Sequence, residues 1–211
     1  MKGVLNMATK KLNQKKLLWM VETALLSAIV LVMAYTPLGY LKTAGLEITF
    51  IMVPVVIGAA TSGPLSGAIL GGIFGITSFI QCFGASPFGA TLLSINPFFT
   101  FITCIPTRIL AGFLAGVIFK AVSQKGKEKT GATVASLAGP LLNTLFFMSS
   151  LVIFFSGTDY IKGIMEALGA KNVFSFVALF VGVQGIVEAA VCFAVASAVS
   201  VALLKALKRY R

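Results

Sequence analysis

Arg108 stands inside FFTFITCIPTRILAGFLAG, residues 98–116, a run that is otherwise almost wholly apolar. Its planar guanidinium can grip a carboxylate through two parallel hydrogen bonds. Asn143 lies in a second apolar run, and Gln184 and Glu188 stand one helical turn apart in a third. Carboxamides both donate and accept, and a carboxylate accepts from hydroxyls, so these four could hold a small polar molecule with an anionic end. The same inventory discourages bond-making chemistry. Histidine is absent, no paired carboxylates occur, and no nucleophile has a base beside it. Cys82, Cys104 and Cys192 are odd in number and lack metal-ligand spacing, so neither a disulfide framework nor a metal centre is expected.

The elements that carry these residues must be membrane helices. The chain has 211 residues, 58% of them hydrophobic and 11% charged, with a mean hydropathy of +0.99. A water-soluble domain of that size could not cover so much apolar surface. Runs of about 20 apolar residues, enough to cross the hydrocarbon layer, fall at about 17–36, 46–62, 64–84, 97–120, 132–156 and 173–204. The expected fold is therefore all-α: one membrane domain over 17–207, a bundle of six helices, behind a basic segment over 1–16. Thr61-Ser62-Gly63-Pro64 makes a tight hairpin of the second and third helices. The net charge of +11 would suggest nucleic acid in a soluble chain, but its distribution points to the bilayer. Thirteen of the seventeen basic residues fall on one side of a six-helix arrangement, and Lys42, Lys162 and Lys171 on the other. The positive-inside rule then places both termini in the cytoplasm of a cell membrane, and no nucleic-acid partner is expected. A rival reading of the first run is a signal peptide cleaved after Val32-Met33-Ala34. Its length of about 18 residues exceeds a usual signal core.

Within the fourth run, Thr100, Cys104, Thr107 and Arg108 share one helix face with Ala111, Gly112, Ala115 and Gly116, while Phe101, Ile105, Ile109 and Phe113 occupy the other. Arg108 is roughly 16 Å from either end at 1.5 Å per residue. Ser136, Gly139, Asn143 and Ser150 make a similar stripe on the fifth. A charge at that depth costs about 2.5–3.5 kcal/mol even on lenient scales, so it is kept by pairing or by use. An Arg108–Glu188 ion pair that only holds helices together is one account; a polar pocket among helices four to six is the other. The outer connections carry Tyr40, Gln81 and Asn96 in Gly/Pro-punctuated, nearly uncharged stretches suited to a lid, and these join Arg108, Asn143, Gln184 and Glu188 as candidate ligand contacts. Asn96-Pro97 reads equally well as a helix start. The connection bearing Asp159, Lys162, Glu166 and Lys171 reads as solvated.

Small residues recur at four-residue spacing: Ala24/Ala28, Gly67/Gly71/Gly75 and Gly112/Gly116. Such rows let helices approach closely. No G-x-x-x-x-G-K-[ST] motif is present, so the chain is not expected to bind ATP itself. The Ala24–Ala28 row, the stretch GLEITFIMVPVVIGAATSGPLSGAILGGIFGITSFIQCFG over 45–84 and the six-helix plan resemble the substrate-binding S components of energy-coupling factor (ECF) vitamin transporters. Leu92-Leu93-Ser94-Ile95-Asn96-Pro97 and the Arg108 helix are most similar to the pantothenate-type branch. The resemblance implies a bacterial, non-enzymatic subunit that captures a water-soluble vitamin from outside. It also implies docking through Ala24 and Ala28 on a transmembrane scaffold with two ABC ATPases, which bind the ATP. Folate or thiamine as ligand stays open, because Glu188 would repel an anion unless it is paired, protonated or bound to ligand hydroxyls. So does a self-sufficient secondary transporter using Glu188 as a proton site.

Overall fold

A computed structural model describes residues 2–37, 39–42 and 47–207. The chain is overwhelmingly helical. In order it forms α1 (Lys2–Ala34), β1 (Tyr40–Lys42), β2 (Glu47–Thr49), α2 (Met52–Thr61), α3 (Pro64–Gln81), α4 (Pro87–Ile95), α5 (Pro97–Cys104), α6 (Pro106–Val122), α7 (Glu128–Phe155), α8 (Asp159–Ala167) and α9 (Val173–Leu207). Among the described residues, five stretches are long and apolar enough to cross a bilayer: Gln14–Ala34, Pro64–Gln81, Pro97–Val122, Glu128–Phe155 and Gln184–Leu207. Their perimeter is apolar, with Leu25, Leu145 and Ile186 exposed as a lipid solvent requires.

The second expected helix, 46–62, is cut to ten residues. Ahead of it, β1 and β2 pair antiparallel with Tyr40 opposite Thr49 and Lys42 opposite Glu47. The alternating Glu47-Ile48-Thr49 suits a strand, and Pro54 fits only the first turn of a helix, where its missing N–H leaves no bond unmade. At about 15 Å, α2 is too short to span the bilayer. It is instead the buried axis of the bundle: Met52, Val55, Val56 and Ala59 are fully enclosed by Leu26 and Val30 of α1, Leu70 and Phe74 of α3, Ala111 and Ala115 of α6, and Ala196 of α9.

The glycine rows of α3 and α6 face each other. A methyl group on Gly67 would lie 2.2 Å from the Gly112 carbonyl oxygen, and one on Gly71 would lie 2.2 Å from that of Arg108. Backbone touches backbone here, which only glycine allows. A separate aromatic cluster of Leu92, Met148, Phe155, Ile161, Phe176 and Phe180 gathers α4, the end of α7, α8 and the start of α9 at one end of the bundle. The connection expected to be solvated is thus partly an ordered helix, whose Ile161 is fully buried.

Two expected helices are interrupted. The 97–120 run breaks at Ile105 because Pro106 has no amide hydrogen to continue the ladder. α9 kinks at Gly182, where φ 33° and ψ −129° leave helical space in a conformation that a side chain would resist.

Candidate ligand pocket

The break at Pro106 explains the position of Arg108. Past the proline, Arg108 N turns to Ile105 O at 3.2 Å, a tighter turn than the α-helix makes. Cys104 O therefore loses its ordinary helical partner. Side chains lean toward the helix N-terminus, so the guanidinium reaches back, and Nη1 donates to Cys104 O at 2.9 Å and Thr103 O at 3.2 Å. Two aromatic rings clamp its plane. The guanidinium carbon lies 4.7 Å from the centroid of Phe74 on α3 and 5.6 Å from that of Phe147 on α7. Arg108 is 7% exposed, and its Nε has no hydrogen-bond partner among the described residues.

A cavity of about 310 Å³ opens beside this group. Arg108, Asn143, Gln184, Glu188 and Gln81 all line it, joined by Thr49, Ser78, Thr103 and the apolar Phe88, Leu92, Phe147 and Met148. The kink at Gly182 aims the second half of α9, with Gln184 and Glu188, at this space. Glu188 is 8% exposed, and its Oε1 has no partner among the described residues. Asn143 Oδ1, on a residue 6% exposed, is likewise without one. Arg108 and Glu188 share the cavity yet form no ion pair among the described residues. Buried polar atoms are nearly always satisfied, so three orphaned groups facing one space mark it as built for a polar occupant. Apolar walls with a few convergent polar groups are the usual make-up of a small-molecule site.

The remaining expected contacts divide. Gln81 Nε2 donates to Ala34 O at 2.6 Å and so ties the end of α3 to the end of α1 while lining the cavity. Asn96 is the N-cap of α5: its Oδ1 accepts from Phe98 N and Phe99 N, both at 3.1 Å. It is not brought to the cavity wall. The Tyr40 side chain lies outside the described residues. Ser78 and Thr103 were not singled out from sequence. Ser78 continues the Gly71–Gly75 row by three residues, so helical periodicity alone could have marked it.

On α1, Thr23, Leu26, Val30 and Ala34 pack inward, while Ala24 and Ala28 lie exposed on the opposite face with Leu17, Val21 and Leu25. No group of three metal-ligating side chains occurs among the described residues.

The fold defines a multi-pass membrane protein with a partly polar cavity inside its helical bundle. Over residues 18–200 the chain matches the family described as "ECF transporter, substrate-specific component". It belongs to that family, which is one of transporter components and not of enzymes. It is also similar to the "Pantothenic acid transporter PanT" of Lactococcus lactis subsp. cremoris (strain MG1363), 32% identical over 120 residues. That match covers 52% of this chain and 59% of the relative's length, less than two thirds of it.

Proposed function

We propose that the protein is the substrate-capture subunit of an ATP-driven ECF vitamin importer and that its ligand is pantothenate. The observation that carries this reading is the set of orphaned polar atoms on Arg108, Asn143 and Glu188 around one cavity. Pantothenate offers a carboxylate for the Arg108 fork, an amide for Asn143 and Gln184, and two hydroxyls that can donate to Glu188. Because no ion pair to Arg108 engages Glu188, its carboxyl is available to ligand hydroxyls, which suits a ligand with an acid at one end and hydroxyls at the other. The relative named for pantothenic acid supports the same choice.

In this reading the chain crosses the membrane six times, the stretch that ends in the short α2 making the second crossing, which gives both termini a cytoplasmic position, consistent with the basic residues in the first half of α1, over 120–129 and from Lys205 onward. The exposed Ala24–Ala28 strip is the surface that settles on the scaffold subunit, and two ABC ATPases bind the ATP. The chain itself needs no cofactor.

The test is uptake of labelled pantothenate into proteoliposomes. The chain alone should give none, with or without a proton gradient. Adding the scaffold and ATPases should give ATP-dependent uptake. Uptake driven by a proton gradient in liposomes holding only this chain would replace the reading with a secondary transporter working through Glu188.

A further inference from the structure

The molecule has a second cavity, at the opposite end of the bundle from the aromatic cluster. It is a groove of about 320 Å³ bounded by α1, the α2–α3 turn and the end of α6, and lined by Lys15, Leu18, Trp19, Ser62, Phe119 and Lys120 among others. Lys15 and Lys120 come from helices far apart in sequence, and neither is in an ion pair among the described residues. The acidic residue nearest on α1, Glu22, accepts from the Ser62 hydroxyl, which directs that hydroxyl away from a ligand. The Thr61 hydroxyl donates to Ile57 O at 2.9 Å. The groove thus presents two ammonium groups, with the Thr61 and Ser62 hydroxyls already engaged. Trp19 Nε1 donates to Ser62 O at 2.9 Å, which fixes the indole as part of the wall.

We infer that this groove binds the phosphate of an anionic phospholipid headgroup. Two cationic stems closing on one space match a phosphodiester, and a basic pocket between membrane helices is the form such sites take. An indole among lysines at the end of an apolar run sits at headgroup depth, where its amphipathic ring is most stable. Exposed Leu17 on α1 and Val117 on α6 continue each wall as apolar surface on which acyl chains can lie. A soluble phosphate would use the lysines but gain nothing from those walls.

Trp19 is the chain's single tryptophan, so fluorescence excited at the red edge, where tyrosine does not absorb, reports on this groove alone. The full chain is placed in phosphatidylcholine vesicles, and lipid with brominated acyl chains is added as either phosphatidylglycerol or phosphatidylcholine. Brominated phosphatidylglycerol should quench Trp19 at lower mole fraction, with a preference of about fivefold for each lysine engaged. Lys15→Gln with Lys120→Gln should abolish the preference, and Lys15→Arg with Lys120→Arg should restore it. Equal quenching by the two lipids in the unaltered chain would overturn the inference. So would a preference that survives the double glutamine change. Loss of the preference on adding millimolar inorganic phosphate, at constant ionic strength, would reassign the groove to a soluble anion and also overturn it.

Discussion

Gly71 on α3 meets the backbone of Arg108 on α6 so closely that a single added methyl group would stand 2.2 Å from the Arg108 carbonyl oxygen. The two helices are therefore held at the distance that sets Arg108 against Phe74 and the cavity. Gly71→Ala should force them apart, lowering thermal stability by about 1–3 kcal/mol, the usual range for overpacking, and weakening ligand binding with it. Calorimetric unfolding and ligand titration on the same preparation check this. A variant with unchanged melting and unchanged affinity would show that the helices separate freely there.

Arg108→Lys keeps the charge but loses the planar fork, the stacking on Phe74 and the simultaneous reach to Cys104 O and Thr103 O. Ligand affinity should fall by about tenfold or more if the contact is bidentate. Isothermal titration of the folded variant measures it. Parent-like affinity would leave Arg108 with only its backbone role at the Pro106 break.

That break shows where sequence was informative and where it was not. Arg108, Asn143, Gln184 and Glu188 were visible because polar groups in apolar helices are rare, and their helical period gave each a face. The glycine rows were visible for the same reason, and they pack inside the bundle. Pro106 stands two residues before Arg108, yet the apolar run reads through it, since hydropathy does not register a missing amide hydrogen. The hairpin over 40–49 was read as loop and helix because its pairing depends on contacts between residues five to nine apart and not on composition. Asn96 illustrates a third case. It reads equally as a helix start or a ligand contact, and only the fold shows that Phe98 N and Phe99 N take its Oδ1.

Asn143→Ala removes a carboxamide whose oxygen is buried without a partner among the described residues. Stability should change little, because no bond to that oxygen is lost on the protein side. Ligand binding should weaken by about 1–3 kcal/mol, the range for stranding a buried partner. Affinity and unfolding temperature, measured together, separate the two effects. A large loss of stability at constant affinity would make Asn143 structural.

Ala24 and Ala28 lie on the exposed face of α1, away from the cavity. Replacing both with tryptophan should leave ligand affinity as it is and abolish ATP-dependent uptake in the presence of scaffold and ATPases, because a flat strip for close helix contact is lost. Uptake equal to that of the parent would place docking on another surface. Loss of binding as well would mean that α1 shapes the pocket.

The most direct measurement is equilibrium dialysis of the purified full chain against labelled pantothenate, with no nucleotide and no ion gradient present. Saturable binding of one molecule per chain, displaced by unlabelled pantothenate and weakened in Arg108→Lys, is the expected result. Folded protein that binds neither pantothenate nor any other water-soluble vitamin above background would contradict capture of a vitamin in the Arg108 cavity.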